Sequence, residues 1–433
     1  MNINKKLVEE LNTLPKGYIS TKRIHGKEYS YLQYDEGGKL KSLYVRASEA
    51  EDVKRGLARR REIEHDLKEY EAEGRDIIIP SKRGRELTGT LMAGDLEVAG
   101  FDHGVCIWKD DAFCPLYIKR KPDISAFLAS RAIDRNRTNS RLLKKILGIH
   151  EETDDMVSLY SFGASVTDNY WFRISGSGLK YKDISFTNDY YSGVALKGEI
   201  LYYPSKHKYS PQLTVTGSYE KCWKRVNGEW WLCKKGTDRE IFSELFAAEL
   251  AAVLRIPTAE YEYYDGYIRT RNFADIYNLE PMTSIAGDDD RYETVFDELN
   301  RISPTIAKQY LHLMWFDLLI NNVDRHNENC GLLRDRGDGR IISLAPNYDN
   351  NMALISRNDI LNMDPAKDGF IKCFEKFLKT SKKAESYMKK MKYPILDRKK
   401  IEKCIDKIPV KFPECDIEKY IMSRYEYMKR YKG

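Results

Sequence analysis

The sequence predicts an α+β protein of two lobes, a small β-rich lobe with one long helix and a larger helical lobe, preceded by accessory segments. Three observations predict it. Between residues 212 and 271, short runs of strand character are punctuated by Asn227-Gly228 and Asp265-Gly266, dipeptides that favour tight hairpins. Inside that region Thr237-Asp238-Arg239-Glu240 has the form of a helix capping box, followed by Ile241, Leu245, Ala248 and Ala252 at helical spacing. Beyond Pro304 the pattern is mainly helical, and one helix face there includes Leu311, Trp315, Leu318 and Leu319.

Bulk properties narrow the class of protein. The 433 residues suffice for two to three domains, and 42% apolar with 32% charged residues fits a folded globular chain. No run approaches the roughly 20 apolar residues a membrane span needs, and Met1–Gly17 lacks a signal-peptide apolar core. The eight cysteines are scattered with no CxxC pair, so neither a zinc site nor a disulfide framework follows, and a reducing cytoplasm is the expected location. The net charge of +6 is a mild excess concentrated in part in residues 1–61, where Lys and Arg outnumber Asp and Glu. It allows nucleic-acid contact without requiring it.

Taken in order, residues 1–85 read as a hairpin plus a long charged helix. Gly26–Tyr34 and Lys39–Val45 alternate around the turn Asp35–Gly38, and a helix is expected from about Ser48 to Gly74, with Val53, Leu57, Ile63 and Leu67 near helical spacing. Tyr29, Tyr31, Tyr34 and Tyr44 are expected to pack between hairpin and helix. The alternative is an exposed aromatic face beside Lys54, Arg55, Arg59, Arg60 and Arg61, able to stack on bases, and it is not the preferred reading. Residues 86–210 mix short strands and helices, preceding or extending the small lobe. The clearest element there is a helix over Arg137–Leu147. Arg131, Arg135, Arg137 and Arg141 nearby are expected on a solvated face, with phosphate contact as the alternative. Residues 211–433 form the core, with the small lobe at about 211–273 and the helical lobe at about 274–433. Its expected strands are Gln212–Thr216, Cys222–Val226, Trp230–Lys234, Ala259–Tyr264 and Tyr267–Arg271, then Cys330–Leu333 and Arg340–Leu344.

The chemistry concentrates after Leu319. Asn322-Val323-Asp324-Arg325-His326-Asn327-Glu328-Asn329 is followed by the paired strand-like runs and then by Pro346-Asn347-Tyr348-Asp349-Asn350-Asn351. Phosphoryl transfer asks little of a protein beyond positioning and neutralisation of charge. One carboxylate must orient the attacking hydroxyl and take its proton; oxygen ligands about five residues on and after a short hairpin must hold Mg²⁺ against the phosphates. Asp324, Asn329 and Asp349 occur in that order and spacing. Any one of them alone would be a turn or cap residue. Lys234, at the end of the third small-lobe strand, can reach nucleotide phosphates, and Glu244 on the next helix can orient it. Lys235 points to the other strand face; Lys234 is preferred because Trp230 and Leu232 share its face and could floor an adenine pocket, although Trp231 and Cys233 could do so too. Gly217-Ser218-Tyr219-Glu220-Lys221 is a candidate phosphate loop with a single glycine.

These motifs resemble the HipA-like serine/threonine kinases of bacterial toxin–antitoxin systems. The resemblance rests on Asp324-Arg325-His326-x-x-Asn329-x-Gly331, Pro346-x-x-Tyr348-Asp349, Ser243-Glu244 and Gly217-Ser218-x-x-Lys221, and covers about residues 210–433. Thr167-Asp168-Asn169-Tyr170-Trp171 adds a weaker likeness to clostridial-type relatives, and Asn350-Asn351 departs from the Asn-Gly of relatives. The resemblance implies a two-lobed protein-kinase-like fold, with Asp324 as catalytic base, Asn329 and Asp349 as Mg²⁺ ligands, and Lys234 and Glu244 as the pair anchoring ATP. It also implies a protein substrate, an antitoxin-like or regulatory partner, and self-phosphorylation in the phosphate loop, where Ser218 is the matching residue. The loop at Asp324–Asn329 resembles that of phosphoinositide kinases as well, but no amphipathic membrane-docking helix accompanies it. Two other classes stay open: a non-catalytic, kinase-shaped regulator that binds nucleotide or nucleic acid, and a lipid or small-molecule kinase.

Overall fold

The structure, a computed structural model, describes residues 10, 11, 13–24, 27–36, 39–72, 87–109, 112–149, 153–199, 210–217, 219–354, 364–412 and 416–431. Two compact units divide the chain, one of residues 1–79 with 199–207 and one of residues 80–198 with 208–433.

In the first unit three antiparallel strands, β1 (Tyr18–Ile24), β2 (Lys27–Glu36) and β3 (Lys39–Val45), form a sheet in the order β1-β2-β3. The sequence reading found β2 and β3 and missed β1. Gly17 leads into β1 at φ +97°, where a Cβ would lie 1.9 Å from the Gln33 carbonyl oxygen, so only glycine fits this close approach. The helix Ala50–Ala72 lies across one sheet face: Leu32, Val45 and Leu57 are buried there, with Ile19, Tyr34, Ala50 and Val53 packed around them. Because strand side chains alternate, Tyr18, Tyr29, Tyr31 and Tyr44 share the opposite face. The expectation that the tyrosines fill the gap between hairpin and helix therefore holds only for Tyr34. Arg60, expected among the exposed helix cations, is buried and donates to the Leu11 and Leu14 carbonyls, both at 3.0 Å.

Among the described residues the second unit contains three further sheets. Strands β4 (Gly89–Ala93), β5 (Leu96–Asp102), β6 (Val105–Lys109) and β7 (Tyr170–Ile174) pair antiparallel in the order β6-β5-β4-β7. The small-lobe sheet combines β8 (Lys221–Val226), β9 (Glu229–Lys234), β10 (Tyr261–Tyr264) and β11 (Tyr267–Arg271) in the order β10-β11-β9-β8. A third sheet runs β12 (Tyr277–Pro281), β13 (Gly331–Asp335), β14 (Ile341–Leu344). Between β9 and β10 the helix Asp238–Leu254 starts at the expected capping box: Thr237 Oγ1 accepts from the Glu240 N–H, and Glu240 Oε2 accepts from the Thr237 N–H at 2.7 Å. Such a cap is worth about 1 kcal/mol.

Two local expectations fail for physical reasons. Gln212–Thr216 does not form a strand; Pro211–Thr214 is a 3₁₀ turn, because Ser210 caps it by accepting from the Gln212 N–H and Pro211 occupies its first turn, where no N–H is needed. Of the arginines before residue 142, Arg135 and Arg141 are exposed as expected, but Arg131 and Arg137 are not. Arg131 forms a fork to Asp168 at 2.9 and 2.7 Å, and Arg137, 1% exposed, donates to the Ala195 carbonyl at 3.2 Å and to the Lys221 carbonyl. Arg137 thereby braces the first residue of β8 from behind. Farther along, the buried pair Arg334–Glu280 at 2.9 Å, with the Tyr170 hydroxyl donating to Glu280 at 2.9 Å, joins the β4–β7 region to the core.

The helical lobe is organised on the helix Pro304–Ile320, most of whose side chains after Thr305 are buried in the apolar core. Trp315 stacks on Tyr393 with centroids 3.8 Å apart, and Arg424, fully buried, donates to the Leu318 carbonyl at 2.6 Å. This helix ends at Asn321, in the left-handed conformation at φ +55°, which turns the chain directly into Asn322–Asn329.

Candidate active site

The loop after the long helix is held from its underside by one arginine. Arg325 donates to both carboxylate oxygens of Asp317 at 2.9 and 3.0 Å, to the Asn329 carbonyl at 2.6 Å and to the Tyr348 carbonyl at 2.5 Å. It also reaches Asn347 Oδ1 at 2.7 Å and Asn350 Oδ1 at 2.8 Å. Asp317 is fully buried, and so is the guanidinium it faces. One planar fork thus ties together the helix, the loop carrying Asp324 and Asn329, and the segment carrying Asp349. Asn322 adds to the tie, donating to Asp317 at 3.1 Å and to Asn350 at 3.3 Å.

Above this base the loop is compact. The Asp324 carbonyl accepts from the His326 N–H at 2.9 Å and from Asn329 Nδ2 at 3.0 Å. With its amide nitrogen so engaged, Asn329 presents its amide oxygen as a ligand atom. Asp324 itself is half-buried at the loop's start. Asp349 follows β14, with φ +57°, a conformation that aspartate tolerates better than most residues. Two contacts fix it from the small-lobe side: its N–H donates to the Tyr261 hydroxyl at 3.1 Å, and the next residue's N–H, that of Asn350, donates to Glu244 Oε1 at 2.8 Å. The glycine of relatives is replaced here by Asn351, which is buried and does not adopt a positive φ, so its backbone does not require glycine.

From the small lobe, Lys234 ends β9 on an inner strand and extends its ammonium to Asp349 Oδ1, with Glu244 Oε2 3.9 Å away. Burial opposes charge on Lys234, but the carboxylates of Asp349 and Glu244 outweigh it and raise its proton affinity. At Asp349 burial acts against ionisation, yet Lys234 and Lys221 hold the carboxyl below its ordinary range. At Glu244 burial prevails and the carboxyl is raised, despite Lys234 beside it. Lys235 uses its N–H on the Glu220 carbonyl at 2.9 Å, and Lys234 is the lysine brought to Glu244 and Asp349.

The candidate phosphate loop contributes Gly217, Tyr219 and Lys221 to the other side of the site. Gly217 has φ +95°, and a Cβ there would sit 2.5 Å from Lys221 Nζ. The glycine thus leaves a cradle directly over a buried ammonium. Lys221 opens β8 opposite Lys234 in the strand register, and burial, reinforced by Lys234, lowers its pKa to about 8. Ser218 lies outside the described residues. Tyr219 folds inward: its ring centroid is 5.6 Å from Lys234 Nζ and its hydroxyl 3.8 Å from Met352 Sδ. Burial, a hydrogen bond to Glu240 and the Asp324 carboxylate push its phenol up to about 12. The predicted floor residues Trp230 and Leu232 pack with Val166, Val215 and Trp223 on one face of this sheet. Trp231 and Cys233 are buried on the other.

Lys234, Glu244 and Asp349 are therefore in direct contact, Asp324 and Asn329 share one loop, and Gly217 and Lys221 face each other. Among the described residues no group of three or more His, Cys, Asp or Glu side chains gathers at one point. A metal held by Asp349 and Asn329 would draw its other ligands from phosphate and water, the habit of Mg²⁺ with nucleotides. Such oxygen donors, two lysines and a glycine cradle fit a magnesium–nucleotide pair. Reading the sequence missed Arg325, Asp317, Asn322 and Tyr261 as positioning residues. A signal existed for one of them: Asp317 is the lone charge in the run Leu313–Ile320.

Comparison with known proteins adds independent findings. Residues 206–414 match the family described as HipA-like C-terminal domain, and residues 2–55 match a domain of unknown function, DUF6788. The solved complex of Shewanella oneidensis MR-1 HipA with HipB and operator DNA matches with a TM-score of 0.52 at 13% identity, over 79% of this chain and 97% of that one. The Helicobacter pylori proinflammatory kinase CtkA matches with a TM-score of 0.38 at 20% identity, over 48% of this chain and 90% of that one. No curated protein matches by sequence. The fold is a two-lobed α+β arrangement like that of HipA in that complex.

Proposed function

Since the chain carries a HipA-like C-terminal domain on a kinase-like fold, we propose that it is an ATP- and Mg²⁺-dependent protein kinase that phosphorylates a Ser or Thr hydroxyl. The observation that carries the reading is the convergence of Lys234, Glu244 and Asp349, with Arg325 locking the Asp349 segment to the loop of Asp324 and Asn329. A scaffold that only bound partners would have no physical need for all of these groups together.

In this reading Asp349 and Asn329 hold Mg²⁺, while Lys234 and Lys221 meet the nucleotide phosphates. Bound there, Mg-ATP supplies the transferable phosphoryl group and part of the countercharge. Asp324 accepts a hydrogen bond from the acceptor hydroxyl, aims its oxygen in line and takes its proton at a carboxylate oxygen. Glu244 holds Lys234 at a fixed height, and the Asn350 N–H anchors Glu244 in turn. Gly217 lets the loop backbone approach phosphate without a side chain in the way.

The acceptor is a protein, with an antitoxin-like or regulatory partner by analogy to the HipA–HipB complex. One acceptor is in the chain itself, in the phosphate loop, where Ser218 is the matching hydroxyl. A dianionic phosphate on that loop would repel the ATP phosphates and empty the site. Incubation of the purified protein with γ-labelled and with α-labelled ATP tests the reading. Label transferred to protein only from the γ position supports a kinase; transfer from the α position means nucleotidyl transfer, and no transfer to the chain or to added protein contradicts it. Mass spectrometry of the same sample is expected to find phosphate within residues 210–225; phosphate found only elsewhere would remove the self-phosphorylation step.

A further inference from the structure

The first unit contains no element of the site above, yet its sheet displays a built surface. Tyr44 meets Tyr29 at 6.1 Å between centroids with a 52° tilt, and Tyr31 edge-on at 5.7 Å. Lys22 Nζ stands 5.2 Å from the Tyr31 centroid, and the Tyr18 hydroxyl donates to Gln33 Oε1 at 2.6 Å. Tyr18 is 51% exposed and Tyr44 50%, and their face is the one turned away from the helix Ala50–Ala72. Burying tyrosines against the helix was open to this sequence, as Tyr34 shows; three rings grouped on the outer face instead cost hydration of apolar surface unless a partner covers it. The charges indicate the partner. Lys22 pairs with Tyr29 on this face of β1, and Arg46, two residues after Tyr44, continues the face beyond β3; both are exposed, whereas Arg23, Lys39 and Lys41 fall on the helix side by register. Of the exposed acids on the central strand, Glu28 falls on the helix side, and Asp35 shares the tyrosine face near its end, beyond Gln33. Aromatic rings in the middle with a cation at either margin match a ligand whose flat, stackable groups are joined by a chain of negative charges.

We propose that the tyrosine face of the β1–β3 sheet binds single-stranded nucleic acid, bases stacking on Tyr18, Tyr31 and Tyr44 while Lys22 and Arg46 neutralise phosphates. A duplex hides its base faces and would compete poorly. The proposal does not depend on the kinase reading, since none of these residues belongs to that site.

The test uses the full-length chain and fluorescein-labelled 20-nucleotide oligo-dT and oligo-U, read by fluorescence anisotropy at several salt concentrations. Binding of either oligonucleotide is expected, weakening as salt rises with a log–log slope of about −0.7 for each phosphate contacted. The ratio of the two affinities then tells DNA from RNA. Tyr44→Ala and Tyr18→Ala should each weaken binding about 5- to 100-fold, Tyr44→Phe should bind almost as wild type, and ATP binding should be unchanged in all three. Thermal melting checks that each variant is folded, and Tyr44→Phe preserves the test should an alanine variant fail that check. No binding of either oligonucleotide at low salt would overturn the proposal, as would binding that survives both alanine substitutions. A concentration-dependent dimer, seen by sedimentation and dissolved by Tyr44→Ala, would also overturn it by assigning the face to a second copy of the chain.

Discussion

The two sides of the proposed nucleotide site are built on opposite principles. The side carrying Asp324, Asn329 and Asp349 rests on a buried guanidinium with polar partners in every direction, and on Asn322, Asn350 and Glu244 locked by backbone and side-chain hydrogen bonds. The side carrying Gly217, Tyr219 and Lys221 rests on one glycine, one inward tyrosine and a lysine whose charge burial weakens, braced at its carbonyl by Arg137. Catalysis by positioning requires the first to be rigid, because an error of about 1 Å there is costly. In the proposed kinase the second side would have to admit and release nucleotide, for which fewer fixed contacts are an advantage.

That contrast can be broken from either side. Arg325→Ala should have the largest effect: it leaves Asp317 buried without its partner and should cost about 3–5 kcal/mol in stability, measured by chemical denaturation. Arg325→Lys should recover little, because a point charge cannot span the same partners. A loss under 1 kcal/mol would mean the network is not what holds the loop. Next, Asp324→Asn should lower phosphotransfer by a factor of about 10² or more while ATP affinity stays within a few-fold. Equal losses in both would place Asp324 in binding and not in the chemical step.

A smaller effect is expected at Lys221. With a pKa of about 8 in the folded protein it loses its charge between pH 7 and 9, so ATP affinity should fall by up to about tenfold over that range. Lys221→Met should flatten the profile, and an unchanged profile would remove Lys221 from phosphate contact. The sign for stability is opposite. Between about 8 and the ordinary lysine value of 10.5 the unfolded chain holds a proton that the folded chain has released, so this group's contribution to stability rises with pH there. The smallest effect should come from Tyr219→Ala, a few-fold change in ATP affinity seen by calorimetry with little change in melting temperature. A large loss of stability would mean that the tyrosine belongs to the rigid side.

The same division explains what could be read from sequence. The hairpin Cys222–Lys234, the capping box at Thr237 and the order Asp324, Asn329, Asp349 are local signals and could be seen without the fold. Arg325's partners at Asp317, Asn347 and Asn350 are brought together only by tertiary structure. The β4–β7 pairing joins residues about 80 apart, which periodicity cannot reveal. Gln212–Thr216 was misread because alternation outweighed the Ser210-Pro211 start signal. The tyrosine face was legible in principle: Leu32 and Tyr34 share one parity, Tyr29 and Tyr31 the other, and the aliphatic residue marks which side is core.

The central claim is that Asp349 and Lys234 mark a magnesium–nucleotide site. The most direct measurement is titration calorimetry of ATP with and without Mg²⁺, on wild type and on Asp349→Asn, each shown by melting to be folded. The account predicts that Mg²⁺ strengthens ATP binding to wild type by at least about tenfold and has little effect on the variant. The same Mg²⁺ enhancement in both proteins would contradict it.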